Sequence, residues 1–417
     1  MLNDELIPHL FRTEYRKIIA VLCKHFGFAQ IETAEDIASE TFLTATQSWG
    51  IEGTPVNPVA WLYSVAKNKA INFLQRQNTY RQKITTAIQQ GAEEQYEMAI
   101  DLSPQNITDS QLQMMFAVCH QVLSTEAQVG LCLRILCGFG IEEIADAFLT
   151  SREVINKRLY RAKEKLREEN ISIAMPPAQD IDSRLQAVLT TIYLLFNEGY
   201  YSVSQNTTLR KQLCFEAIRL CTMLIENGST NRPVVNALMA LMCFHASRFD
   251  ARVNAQGELV LYEEQDTGLW NPDLISKGAY FLRCAATGDE LSAYHLQAGI
   301  AYWNTQKEDT HEKWEGMLQL YNQLLQLQYS PIAALNRTYA LSRANGKQQA
   351  ITEAEKLQLT GNQFYYGLLG HLYTGINNER ARQHFTTAQT LAKTPADKQA
   401  LQRKLDKLAY SVKQGSA

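Results

Sequence analysis

Seven basic side chains stand within residues 152–168, against three acidic ones. A helix turns by about 100° per residue, so Ile155, Leu159, Ala162 and Leu166 fall on one buried face and the polar groups on the other. Amide, ammonium and guanidinium groups on such a helix can read base edges in the major groove of DNA and hold phosphates. The chemistry that this segment predicts is the binding of nucleic acid.

The residues before this helix complete a helix-turn-helix pattern. Residues 142–148 predict a short first helix, and Thr150 with Glu153 predicts a capping box that starts the second. A supporting helix is predicted over 124–136. A basic amphipathic surface helix is the alternative interpretation, and the supporting helix disfavours it. The residues expected to face DNA are Arg152, Glu153, Asn156, Lys157, Arg158, Tyr160, Arg161 and Lys165.

A second group of side chains suited to nucleic acid follows Asn57-Pro58, a pair that favours the start of a helix. This predicted helix carries an aromatic ring and amides amid cations. Rings stack on unpaired bases and amides read base edges, so the group suits single-stranded DNA. The alternative interpretation of Trp61 is that its ring packs in the hydrophobic core. The residues expected to bind DNA are Trp61, Ser64, Lys67, Asn68, Asn72 and Arg76.

Catalytic and metal-binding chemistry has weaker support. Polar residues of the C-terminal half could line a cleft and do acid–base work, but in a helical scaffold such groups more often form salt bridges or caps. They are Asn197, Glu198, Arg248, Asp250, Arg252, Glu263 and Asp266. The eight histidines show no paired ligand spacing, and the eight cysteines form no CxxC pair and are expected to be reduced and buried. We expect no catalysis, no metal and no cofactor.

Charge is unevenly distributed along the chain, although the net charge is only −3. Residues 60–92 contain no acid, residues 84–133 contain acids but no Lys or Arg, and residues 152–168 are basic again. This order of basic, acidic and basic segments predicts two nucleic-acid-binding modules joined by an acidic linker.

Helical periodicity extends over almost the whole chain, which predicts an all-α protein of two or three domains. Pro176-Pro177 predicts a domain boundary, because paired prolines cannot continue a helix. No apolar run approaches the ~20 residues of a membrane span. Residues 1–20 do not resemble a signal peptide, so we expect a cytoplasmic protein that does not bind membranes.

The second half of the chain shows successive helical hairpins. Six residues fall close to the large and small positions of a tetratricopeptide hairpin: Tyr366, Leu369, Gly370, Tyr373, Phe385 and Ala388. Residues 332–356 give a looser copy. Such hairpins bury their open face only by stacking on neighbours, so an α-solenoid-like domain is predicted.

The string WLYSVAKNKAINFLQRQ, which begins at Trp61, resembles the promoter-melting helix of the extracytoplasmic-function sigma factors. One departure is Asn72, where that family usually carries Asp. The segment AEDIASETFLTAT (34–46) resembles the family's polymerase-binding helix, with Glu35, Asp36 and Glu40 at its acidic positions. We expect Thr33 and Asp36 to cap that helix. In the second module, the positions that match the family's helix-turn-helix, which reads the −35 element, are Glu143, Ile144, Ala145, Lys157, Arg158, Leu159, Arg161, Ala162 and Leu166.

The resemblance to ordinary members of this family covers residues 1 to about 172 and implies three parts. Residues 1–83 would bind polymerase and the −10 element, 84–110 would be an acidic linker, and 111–172 would bind the −35 element. Residues 178–417 resemble the tetratricopeptide-like extension of one subgroup of long sigma factors, at YLLFNEGYYS (193–202), SRFDARVNAQGELVLYEEQD (247–266) and SPIAALNRTYAL (330–341).

The function that this resemblance implies is binding to core RNA polymerase and promoter DNA. Control would come from the extension, through a regulatory protein or an intramolecular contact. A stand-alone helix-turn-helix regulator with a ligand-sensing or peptide-sensing repeat domain is the alternative. Such a regulator would need neither the acidic helix nor the WL-x-x-V-A-x-N helix.

Overall fold

The computed structural model describes residues 3–84, 100–200, 207–252, 260, 262–392 and 395–414. All regular structure in these ranges is helical, without a strand, which confirms the all-α class. The chain forms two compact units, Met1–Asn231 and Arg232–Ala417. Seven of the eight cysteines are buried, and all eight are free thiols. No helix among the described residues is long and apolar enough to cross a membrane.

The first module of the first unit contains three long helices. Ile18, Ile19 and Leu22 are fully buried in its core. Asn57 caps the third helix, because its side-chain oxygen accepts a hydrogen bond from the Ala60 backbone N–H at 3.0 Å. The predicted start at Asn57-Pro58 is therefore confirmed. The helices are α1 (Asn3–Phe26), α2 (Ile31–Glu52) and α3 (Pro58–Ile84).

The predicted cap of α2 is wrong. A 3₁₀ turn at Phe28–Gln30 leads directly into α2, so Gln30 occupies the N-cap position and makes no side-chain cap bond. Thr33 lies inside the first turn, where its hydroxyl donates to the Gln30 side-chain oxygen at 2.9 Å. The early start of the helix leaves Thr33 and Asp36 too far along the chain to cap it.

The second module contains a four-helix arrangement with one π turn. Its first helix begins inside the range predicted as a linker, and residues 85–99 of that range lie outside the described residues. The elements are α4 (Pro104–Val118), α5 (Thr125–Leu131), the π turn Cys132–Leu136, α6 (Ile141–Ala147) and α7 (Arg152–Glu168).

The capping box predicted at the start of α7 is also wrong. Ser151 is the N-cap residue, and its hydroxyl accepts from the Val154 N–H at 3.4 Å. The Thr150 N–H instead donates to the Ala145 carbonyl at 2.9 Å, which closes the turn after α6. The turn is one residue longer than the sequence pattern suggested.

Two further helices, α8 (Ile181–Tyr200) and α9 (Thr207–Glu226), belong to the first unit although they follow Pro176-Pro177. The buried Thr191 hydroxyl donates to the Gln128 side-chain oxygen of α5 at 2.8 Å. The Arg184 guanidinium donates to the Phe116 carbonyl of α4 at 2.8 Å. These contacts attach the start of the extension to the second module.

The second unit is a succession of helices that pack on their neighbours in sequence. Gly370 allows a close hairpin, because a Cβ there would lie 2.6 Å from the ring of Phe385. The helices are α10 (Pro233–Ala246), α11 (Pro272–Ala285), α12 (Ala293–Trp303), α13 (His311–Leu327), α14 (Pro331–Ala344), α15 (Lys347–Leu357), α16 (Gln363–Tyr373), α17 (Asn378–Leu391) and α18 (Pro395–Gln414).

Candidate nucleic-acid interface

The buried stripe of α7 confirms the prediction from its spacing. Ile155, Leu159, Ala162 and Leu166 are each at most 4% exposed. Leu159 packs beside Gly130 of α5, where an added Cβ would lie 3.3 Å from the Leu159 side chain. Burial of this stripe fixes the rotation of α7, and its polar face must therefore point to solvent.

The opposite face of α7 presents the side chains suited to base edges. Asn156, Lys157, Tyr160 and Arg161 are all exposed, and Tyr160 is 63% exposed. These side chains comprise one amide, one phenol and two cations. Because they are exposed, they can enter the major groove of DNA without first leaving a buried site.

Side chains beside this face have more varied surroundings. Arg152 pairs with Glu142 at 2.7 Å, and both are exposed. Arg158 is half-buried, with its guanidinium 5.3 Å from the Phe148 ring centroid. Lys165 is exposed. The pKa of the exposed Glu153 carboxyl lies below its ordinary value, because its own backbone N–H and the Ser151 side chain bond to it.

The structure brings four of the six predicted residues of α3 to one exposed face. Leu62, Ala66 and Ala70 are fully buried and set the rotation of the helix. Lys67 is half-buried, as is Trp61, which packs edge-on against Trp49 with ring centroids 5.3 Å apart. The exposed residues are Ser64, Asn68, Asn72 and Arg76.

The acidic residues of α2 divide into two groups. Asp36 and Glu40 are exposed, and Glu40 lies 3.2 Å from Lys69 of α3. Glu35 is only 15% exposed and pairs with Lys163 of α7 at 2.6 Å. Leu43, three residues after Glu40 and 58% exposed, extends the exposed edge. Its spacing from Asp36 and Glu40 could have identified it from the sequence.

The polar side chains of the C-terminal half, which could line a cleft, make structural contacts. Arg248 lies over the Tyr262 ring at 5.2 Å, and Lys313 donates to the Tyr262 hydroxyl at 3.0 Å. Asp266 caps the 3₁₀ turn Thr267–Leu269 by accepting from the Gly268 N–H at 2.8 Å. Burial raises the pKa of Glu198. The Glu263 side chain lies outside the described part. Among the described residues, no three His, Cys, Asp or Glu side chains are grouped to hold a metal.

Comparison with known proteins supports the assignment of the first module. Residues 10–80, which include α2 and most of α3, match sigma-70 region 2. This match supports a sigma-70 family factor. A sigma-70 region 2 indicates a role in transcription initiation through core RNA polymerase and promoter DNA. The proteins of the sigma-70 family are non-enzymatic transcription factors.

The remaining matches concern the extension and the whole chain. Residues 184–286 match a family of unknown function, DUF6596. An uncharacterized protein of Rhizobium meliloti (strain 1021) is 32% identical over 387 residues, which cover 92% of this chain and 91% of that protein. No solved structure gives a significant match.

Proposed function

We propose that this protein is an extracytoplasmic-function sigma factor of the subgroup with a long tetratricopeptide-like extension. It binds core RNA polymerase through α2, reads and melts the −10 element through α3, and reads the −35 element through α7. The extension controls this activity. The observation that carries the proposal is the joint presence of an exposed acidic edge on α2 and exposed polar faces on α3 and α7.

The roles proposed for α2, α3 and α7 follow from the chemistry of their exposed faces. The carboxylates of Asp36 and Glu40 suit a basic protein surface and repel DNA phosphates. The amides of Asn68 and Asn72 suit unpaired base edges. The cations of α7 suit duplex DNA, where side chains at the centre of the helix reach bases and those at its sides reach phosphates.

DNA binding with and without core polymerase tests the proposal. Each module offers only a small basic face, so the free protein should bind a promoter fragment weakly and the holoenzyme tightly. The measurement is a salt titration of both on the same fragment. Tight sequence-specific binding by the free protein would favour the stand-alone regulator.

Two truncations test control by the extension. Removing residues 232–417 keeps the first compact unit intact, whereas removing residues 176–417 also deletes α8 and α9. We expect both truncations to change promoter output strongly in a reconstituted assay. Unchanged output and unchanged regulation in both truncated proteins would contradict control by the extension.

A further inference from the structure

Two cations of the second unit are buried without a carboxylate partner among the described residues. Arg248 lies immediately before the 3₁₀ turn Phe249–Ala251 that follows α10, and Lys313 lies in the first turn of α13. They are only 8% and 3% exposed. Neither side chain forms an ion pair with any residue that the structure describes. Lysine and arginine are almost never buried to this extent unless an anion accompanies them.

Both charges lie beside the ring of Tyr262. The Arg248 guanidinium carbon is 5.2 Å from the centroid of that ring, and the Lys313 ammonium nitrogen is 5.4 Å from it. Trp270 stacks on Tyr262 with the two ring centroids 6.3 Å apart, and the Arg248 guanidinium carbon is 6.0 Å from the Trp270 centroid. Aromatic faces attract cations but carry no net charge. The two buried positive charges therefore still repel each other.

These four residues, Arg248, Tyr262, Trp270 and Lys313, form what we call the Arg248–Lys313 cluster. The Lys313 ammonium carries three N–H groups. It donates to the Tyr262 hydroxyl at 3.0 Å and to the Gln306 carbonyl at 2.9 Å, so one N–H has no acceptor among the described residues. The Arg248 Nε–H and the Trp270 indole N–H are buried and also have no acceptor in the described part of the chain. Each such donor costs free energy that an accepting ligand would remove.

The described carboxylates near these cations in sequence do not neutralise them. Asp250 and Glu312 are exposed, and Asp309 pairs with Arg343. The dipole of α13 adds to the unfavourable potential, because its positive end lies at the turn that contains Lys313. The cluster is therefore a buried positive site that an anion would stabilise.

We propose that the Arg248–Lys313 cluster binds an oxyanion, the carboxylate or phosphate group of a small molecule. The planar guanidinium of Arg248 can donate two parallel N–H bonds, which suits both kinds of oxyanion, and Lys313 adds a point charge. Tyr262, which is half-buried, supplies a flat apolar surface for the body of the ligand. The site lies wholly within the second unit, so it does not depend on the sigma-factor proposal.

Anion binding to the full-length chain tests this site. The probes are inorganic phosphate and acetate as sodium salts, with sodium chloride at equal ionic strength as the reference. Thermal unfolding gives the Tm of the transition that includes the second unit, and isothermal titration of the unaltered chain gives the Kd directly. Arg248→Gln and Lys313→Met each remove one buried charge and keep most of the side-chain length. The matched control is Lys307→Met, which removes an exposed charge in the same unit.

At ten times its Kd, a bound oxyanion should raise the Tm of the unaltered chain by roughly 3–6 °C above the value in chloride. Arg248→Gln and Lys313→Met should each weaken the Kd about tenfold or more and lose most of this rise, because each removes a hydrogen bond to a charged group. Lys307→Met should keep the full rise. A response to only one of the two probes would assign the ligand to that class, carboxylate or phosphate.

A purely structural role for the two cations predicts a different result. Each substitution would then lower the Tm equally in chloride and in oxyanion, and the rise would stay intact. The proposal is overturned if both variants keep the rise. It is also overturned if titration of the unaltered chain detects no binding of either probe, a result that does not depend on the folding of any variant.

Discussion

Neighbouring cations on α7 face different surroundings. Lys157 and Arg161 are exposed on the face opposite the buried stripe, whereas Lys163 and Arg167 are directed at carboxylates of α2. A residue's place on the helix therefore decides whether its charge is available to DNA or used within the protein.

Lys157 and Arg161 should make separable contributions to promoter binding. Lys157 lies in the second turn of α7, where a docked helix reaches base edges. Lys157→Ala should cost about 1–3 kcal/mol at the preferred −35 element and less at mutated elements. Arg161→Ala should weaken binding to every sequence and lower the salt slope by about one unit.

The measurement is holoenzyme binding to a set of −35 variants at several salt concentrations. The same uniform loss for both substitutions on every variant would contradict this orientation of α7 in the groove.

His245 of α10 should make folding sensitive to mild acid. Burial, with a contribution from Arg248 and Arg252, lowers its pKa to about 3. Below the ordinary pKa of 6.5, His245 therefore binds a proton in the unfolded chain but not in the folded chain. The free energy of unfolding is highest above pH 6.5 and falls as the pH drops below that value. The loss from this one group should reach about 2 kcal/mol between pH 6.5 and about pH 5.

Chemical denaturation at several pH values measures this loss. His245→Gln should flatten the pH dependence, whereas His9→Gln, at an exposed position, should not. A full acid-induced loss that persists in the His245 variant would contradict the assignment.

At the scale of elements, spacing predicted the helices of the site well and their ends less well. The stripe of α7 and the start of α3 could be predicted, because periodicity and the Asn-Pro pair are local signals. The caps of α2 and α7 could not. Two adjacent hydroxyl residues, Thr150 and Ser151, are equivalent in a sequence pattern, and the length of the preceding turn decides which one caps.

Ser151 and Thr150 offer a direct comparison of the two capping assignments. The Ser151 hydroxyl accepts a hydrogen bond from the Val154 N–H, so Ser151→Ala should destabilise the second module by about 1 kcal/mol. Thr150→Ala should cost less than half as much. Hydrogen exchange of the first-turn amides of α7 measures both effects. A larger effect of the Thr150 substitution would indicate that Thr150, and not Ser151, caps α7.

The α16–α17 hairpin should be sensitive to a single methyl group. A Cβ at Gly370 would lie 2.6 Å from the Phe385 ring, so Gly370→Ala should cost about 1–3 kcal/mol. Gly367, on the same helix, has no atom within 4 Å of such a Cβ, and Gly367→Ala should stabilise by up to about 1 kcal/mol. Urea denaturation of both variants measures the difference, and equal effects would contradict this packing.

At the scale of the whole molecule, the first compact unit extends beyond the boundary that Pro176-Pro177 suggested. The helical class could be predicted because periodicity is local. The contact of Glu35 with Lys163 joins residues 128 positions apart, and that of Arg16 with Glu216 joins residues 200 apart. No spacing rule detects such pairs, so the sequence marked Glu35 as an acidic binding residue and gave no sign of its partners.

Reconstituted transcription with purified core polymerase and a pool of randomised templates tests the central claim most directly. With this protein added, we predict specific initiation from templates that share two separated elements. Changes at Asn68 of α3 should alter the −10 element, and changes at Lys157 should alter the −35 element. Initiation no higher than with core polymerase alone, together with tight sequence-specific DNA binding by the free protein, would contradict a sigma factor.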